Sequence, residues 1–134
     1  MPWTARITGD MTLSILDENG FKVLDVDMLR TNTMRAGDGG ELLARTLNDL
    51  TLLAQAANVA DADGLELWDA SAGLSPTPWR MDFQQRLRRV RVQDANGRLL
   101  GDRRFSKATT EEMLGSIVQT MTQAVDKVNS ITFG

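Results

Sequence analysis

Arg80-Met81-Asp82-Phe83-Gln84-Gln85-Arg86-Leu87-Arg88-Arg89-Val90-Arg91-Val92-Gln93 is followed by Asp94-Ala95-Asn96-Gly97, and then by Arg98 to Lys107. The first run reads as one long strand, and the last as its returning partner. Asn-Gly between two β-favourable runs is a strong short-range hairpin signal. A threonine-rich segment then opens a terminal helix over about 110–129, with Thr109 and Glu112 at the spacing of a capping box. Leu114, Ile117, Val118, Met121, Val125 and Val128 form its apolar face. Gly115 interrupts this helix and implies close packing or a frayed first turn.

Working outward, a second Asn-Gly turn stands at Asp17-Glu18-Asn19-Gly20. Short strands at 4–8 and 11–16 precede it, and Phe21 to Leu29 returns. Leu24, Val26 and Met28 alternate with Val23, Asp25 and Asp27, so one face of that strand is apolar. The likeness of the two turns is shared turn chemistry, too short to establish a repeat. Asp38 and Glu41 have capping-box spacing before a helix that runs over about 40–58. Leu43, Leu47, Leu50, Ala54 and Ala57 make its core stripe, while Asn48, Asp49, Thr51 and Gln55 fall mostly outside it. Leu65–Trp68 reads as a further short strand, and 69–79 as a stiff, proline-bearing connection. The predicted architecture is a single α+β domain over 1–134. Two hairpins and short strands make a mostly antiparallel sheet, and both amphipathic helices lie on one face of it.

Composition bounds the function. The chain has 134 residues, 42% hydrophobic and 25% charged, without cysteine or histidine. That excludes a disulfide framework, a thiolate nucleophile and a histidine general base. No cofactor or metal site is predicted. The glycines at 37–40 lack the Lys-Ser/Thr of a phosphate loop, and Asp61-Ala62-Asp63-Gly64 falls out of register for a calcium loop. Asp25 and Asp27, two apart on a strand, are the best pair for carboxylate chemistry, although a solvated strand face explains them more simply. The start of the chain lacks an apolar secretory segment, and no apolar run is long enough for a membrane span. The expectation is a cytoplasmic or virion protein with no membrane partner.

Charge is split along the chain. Residues 1–79 carry five basic and twelve acidic residues, a net −7, whereas 80–107 carry nine basic and three acidic, a net +6. Nucleic acid is disfavoured as the partner of this basic hairpin, because the whole chain is acidic and no aromatics interleave the arginines. A plain solvated hairpin face ranks first, pairing with an acidic protein surface, within the fold or on another copy, second, and nucleic acid third. The expected function is therefore a non-enzymatic structural subunit, assembling with itself and other proteins in a larger particle such as a phage neck or tail. Its candidate contact residues are Arg86, Arg88, Arg89, Arg91, Arg103, Arg104, Trp79 and Phe133. Two alternatives stand beside it. One is a small-ligand or peptide-binding module around Trp68 and Trp79, and the other is a hydrolase built on Asp25 and Asp27.

Overall fold

The two Asn-Gly turns form as the residues demand, and their strands meet in one sheet. The computed structural model describes residues 2–9, 12–28, 39–59 and 74–130. Its elements are β1 (Thr4–Gly9), β2 (Thr12–Leu16), β3 (Lys22–Asp27), α1 (Gly39–Asn58), β4 (Arg80–Gln84), β5 (Arg89–Gln93), β6 (Leu99–Arg104) and α2 (Glu111–Asn129). The six strands are antiparallel throughout, in the order β1-β2-β3-β6-β5-β4. The protein is an α+β fold. Asp38, the strand expected at Leu65–Trp68, and Asp61 and Asp63 lie outside the described residues.

The long strand expected from Arg80 to Gln93 is two strands. A short 3-10 turn at Gln85–Leu87 breaks it, and Arg88 takes a left-handed conformation at φ +53°. β4 therefore folds back on β5, with Met81 opposite Val92 and Phe83 opposite Val90. No Gly or Asn marks this turn, which is why the run reads as continuous. A non-glycine residue in the left-handed region costs about 1 kcal/mol. Tertiary bonds offset it: the Arg88 guanidinium donates to the Ser106 and Thr109 carbonyls and to Glu111, and its own carbonyl accepts from Phe105 N–H. The α2 cap also differs by one residue. Thr110, not Thr109, is the N-cap, accepting from Met113 N–H at 3.1 Å, because Thr109 is buried with its carbonyl on Arg88.

The described elements fall into two equivalent strand-strand-strand-helix halves, a repeat that the short turn motif does not by itself reveal. Asp17 Oδ1 accepts from the amides of Asn19 and Phe21, and Asp94 Oδ1 accepts from those of Asn96 and Arg98. Gly20 and Gly97 take φ of +79° and +83°, as such turns require. Just beyond each turn the register shifts by one residue, leaving Val23 and Leu100 as matching bulges, both buried. Each half is then closed by the same clamp. Asn58, at the end of α1, accepts from Trp3 N–H at 2.8 Å and donates to the Trp3 carbonyl at 2.9 Å. Asn129, at the end of α2, does the same to Trp79 at 2.6 and 2.8 Å. Even the back-bonded threonines match, Thr51 to the Leu47 carbonyl and Thr122 to that of Val118.

The halves join at β3 and β6, where the equivalent residues Asp25 and Asp102 are direct cross-strand partners. A local twofold axis therefore passes between them. Leu24 and Gly101 are also equivalent under this axis. A Cβ on Gly101 would stand 2.5 Å from Leu24 Cγ and Cδ2, so one side chain fills the space of two. Both helices cover the apolar face of the sheet and touch each other, α1 against β1, β2 and β6 and α2 against β4. Leu50, Leu53 and Ala54 of α1 meet Leu114, Met121, Val125 and Val128 of α2 in the same core as Leu13, Ile15, Val26, Val90 and Val92. Leu52, outside the predicted α1 stripe, is buried as well.

Candidate functional site

The arginine-rich stretch is largely committed to the fold. Arg89 binds both carboxylate oxygens of Asp102 across β5 and β6. That hydrogen bonding holds the Arg89 guanidinium above its ordinary pKa. Arg88 is occupied as described above, Arg91 lies 4.0 Å from Asp82, and Arg103 sits over the Phe105 ring at 5.8 Å. Arg86 and Arg104 are exposed. Trp79 is 3% exposed and donates its indole N–H to the Ser75 carbonyl, so it anchors the connection to the body. Phe133 lies outside the described residues. The stretch thus does not form one basic surface: its central arginines neutralise carboxylates of their own half.

The face of the sheet opposite the helices carries a row of polar residues, one per strand. In register these are Arg6, Ser14, Asp25, Asp102, Arg91 and Asp82, running from the β1 edge to the β4 edge. Asp25 lies 3.6 Å from Lys22. Partial burial pushes its carboxyl up, opposed chiefly by the Lys22 charge. Among the described residues no three His, Cys, Asp or Glu side chains come together as a group that could hold a metal ion. The shallow cleft of about 450 Å³ beside Asp25, Asp27 and Asp102 is bordered by Arg89, Arg103 and Arg104. Its carboxylates face guanidinium groups more than an open cavity, which suits structural ion pairing.

A buried polar cluster was not foreseen. Asp49 of α1 is fully buried, and its carboxylate accepts from Ser75 N–H (2.8 Å), Ser75 Oγ–H (2.6 Å) and Arg98 (3.3 Å). Arg98 also donates to Thr46 Oγ1 and Ser75 Oγ and lies 3.8 Å from Asp94. Burial raises the Asp49 pKa from 3.8 to about 6, against these hydrogen bonds and the Arg98 charge. The cluster straps the 74–79 connection to α1 and to the β5–β6 turn, where Ala95 N–H also donates to the Pro76 carbonyl. One signal lay in the sequence: Asp49 stands between the core positions Leu47 and Leu50, where a polar residue is buried at the slightest rotation of the helix.

A groove of about 610 Å³ lies at the opposite end of the twofold arrangement. Trp3, Asn58 and the Asp17–Asn19 turn form one wall, and Met113, Ile117 and Thr120 of α2 form the other. Trp3 is 8% exposed and Met113 44% exposed. Glu18 and Glu112 make its rim acidic. Among the described residues no helix is long and apolar enough to cross a membrane. No protein-family model, curated protein or solved structure matches this chain.

Proposed function

We propose that the protein is a non-enzymatic assembly subunit whose copies join head to tail through the edges of the sheet, β4 of one copy against β1 of the next. The observation that carries this reading is the pair of edges themselves. Among the described residues β1 pairs only with β2 and β4 only with β5, so each presents a row of unpaired backbone groups. β1 continues the alternation of strand directions when placed beside β4, so the joint is antiparallel.

The side chains favour one register. The polar row ends in Arg6 on the β1 edge and Asp82 on the β4 edge, so setting the two opposite each other pairs unlike charges. In that register Ile7, 55% exposed, falls opposite Met81, and Ala5 falls opposite Phe83. The joint replaces the expected match between an acidic half and the whole arginine hairpin, because Arg88 and Arg89 are engaged internally. A head-to-tail contact of this kind gives a ring if its rotation closes and a filament if it does not. Repeated subunits of a larger particle, such as a phage neck or tail, are the setting that suits it, with cytoplasmic assembly.

Light scattering on a sizing column at low and at high salt tests the reading. A multimer that Arg6→Glu or Asp82→Arg dissociates, and that the double exchange restores, is the expected result. A monomer at all salt concentrations overturns it.

A further inference from the structure

The twofold arrangement places the Trp3 groove in correspondence with a position that the chain itself fills in its other half. There the segment Leu74–Pro76 runs between α1 and the β5–β6 turn. The Trp79 indole N–H donates to the Ser75 carbonyl at 3.1 Å, and Ala95 N–H donates to the next carbonyl, Pro76, at 3.0 Å. The floor is α1, through Thr46 and Asp49.

Each of these parts recurs around the groove. Trp3 corresponds to Trp79, Glu18 to Ala95, and Ile117 and Thr120 of α2 to Thr46 and Asp49 of α1, as the clamps at Asn58 and Asn129 and the matched turns establish. The Trp3 indole N–H and the Glu18 amide N–H have no acceptor among the described residues, although their counterparts bind two successive carbonyls. From this correspondence we infer that the groove between Trp3, the β2–β3 turn and α2 is a docking site for an extended, proline-bearing peptide segment of a partner protein. Two consecutive main-chain carbonyls of that segment are received by the Trp3 indole and the Glu18 amide.

The differences between the halves state what the peptide must carry. Where Asp49 and Arg98 form a buried ion pair, the equivalent residues are the uncharged Thr120, which lines the groove, and Phe21, which stacks on Phe105, so the central residue of the ligand is small and uncharged, its N–H accepted by the Thr120 hydroxyl. Where Ala95 lies beside Pro76, the groove has Glu18, with Glu112 on the facing helix. The residue that follows the proline therefore stands beside carboxylates and is basic. Extended segments with a proline arrive with little conformational freedom to lose, which favours docking by so short a stretch.

The test uses the full chain and a synthetic peptide that copies Leu74–Pro78 with Thr77→Arg, alongside the unchanged copy. Isotope-edited NMR follows the indole and amide signals during titration. The expected result is a saturable shift of the Trp3 indole and Glu18 amide with the Trp79 indole unmoved, and tighter binding of the arginine peptide. Glu18→Lys with Glu112→Lys should abolish that preference. Ser116→Trp, an exposed change that fills the groove, should weaken binding of both peptides at least about tenfold, while the unmoved Trp79 signal reports an intact fold. Unmoved Trp3 and Glu18 signals at saturating peptide overturn the inference, and so does equal binding by Ser116→Trp. Shifts of the same two signals with protein concentration alone overturn it in favour of a second copy as the occupant.

Discussion

Position 101 admits no methyl group without moving Leu24, since the added Cβ would come within 2.5 Å of that side chain. Gly101→Ala should therefore destabilise by about 1–3 kcal/mol, as overpacking in a closed core does. Gly115 is the opposite case. Nothing lies within 4 Å of its Cβ position, so close packing does not explain it, and Gly115→Ala should stabilise α2 by about 1 kcal/mol. Urea denaturation of the two variants reads both signs. Asp49 adds a pH dependence. The folded state keeps its proton up to about pH 6, whereas the unfolded chain releases it near 3.8. The native state then binds the extra proton, so this contribution to stability is full below pH 3.8 and is lost as pH rises towards 6. The loss is at most on the order of 3 kcal/mol. Unfolding curves across that range should show a steeper loss of stability in the native chain than in Asp49→Asn, where Asp25 still contributes; an identical slope in both would assign the effect elsewhere. That Asp49 is buried could not be read from residue type, because its partners Ser75 and Arg98 are far away along the chain.

Among the elements, the turns and helices were the most legible. Asp-x-Asn-Gly dictates its own geometry through local bonds, and the helix stripes follow from a fixed period. The β4–β5 hairpin was not legible. It turns through Arg88, whose left-handed conformation is stabilised by Ser106, Thr109 and Glu111 on the next two elements. The Asn clamps were hidden for the same reason, since Asn58 and Asn129 read as ordinary helix ends. Each satisfies both main-chain groups of a tryptophan that starts a strand. Asn58→Ala and Asn129→Ala should each cost about 1–3 kcal/mol by leaving those groups unpaired. Denaturant midpoints of the single variants measure this, and nearly equal losses are expected from two equivalent sites.

At the scale of the molecule, the free edges and the polar row that ends on them govern what the protein can assemble into. Arg6→Glu alone sets like charges opposite each other in the proposed joint and should shift the equilibrium towards monomer, more so at low salt, where charges are less screened. The composition excluded histidine and cysteine chemistry, the spacing of apolar residues foretold two helices on an antiparallel sheet, and the Asn-Gly turns foretold two hairpins. These are consequences of local covalent geometry and of periods only a few residues long, so a linear reading reaches them. The tertiary structure decided the rest: that the described elements form two matched halves, that β3 meets β6 at Asp25 and Asp102, that Arg88, Arg89 and Arg91 are spent on carboxylates of their own half, and that one of two equivalent grooves is already occupied. Each of these depends on contacts between residues dozens of positions apart, whose pairing is settled by packing the whole core and by satisfying every buried polar group at once.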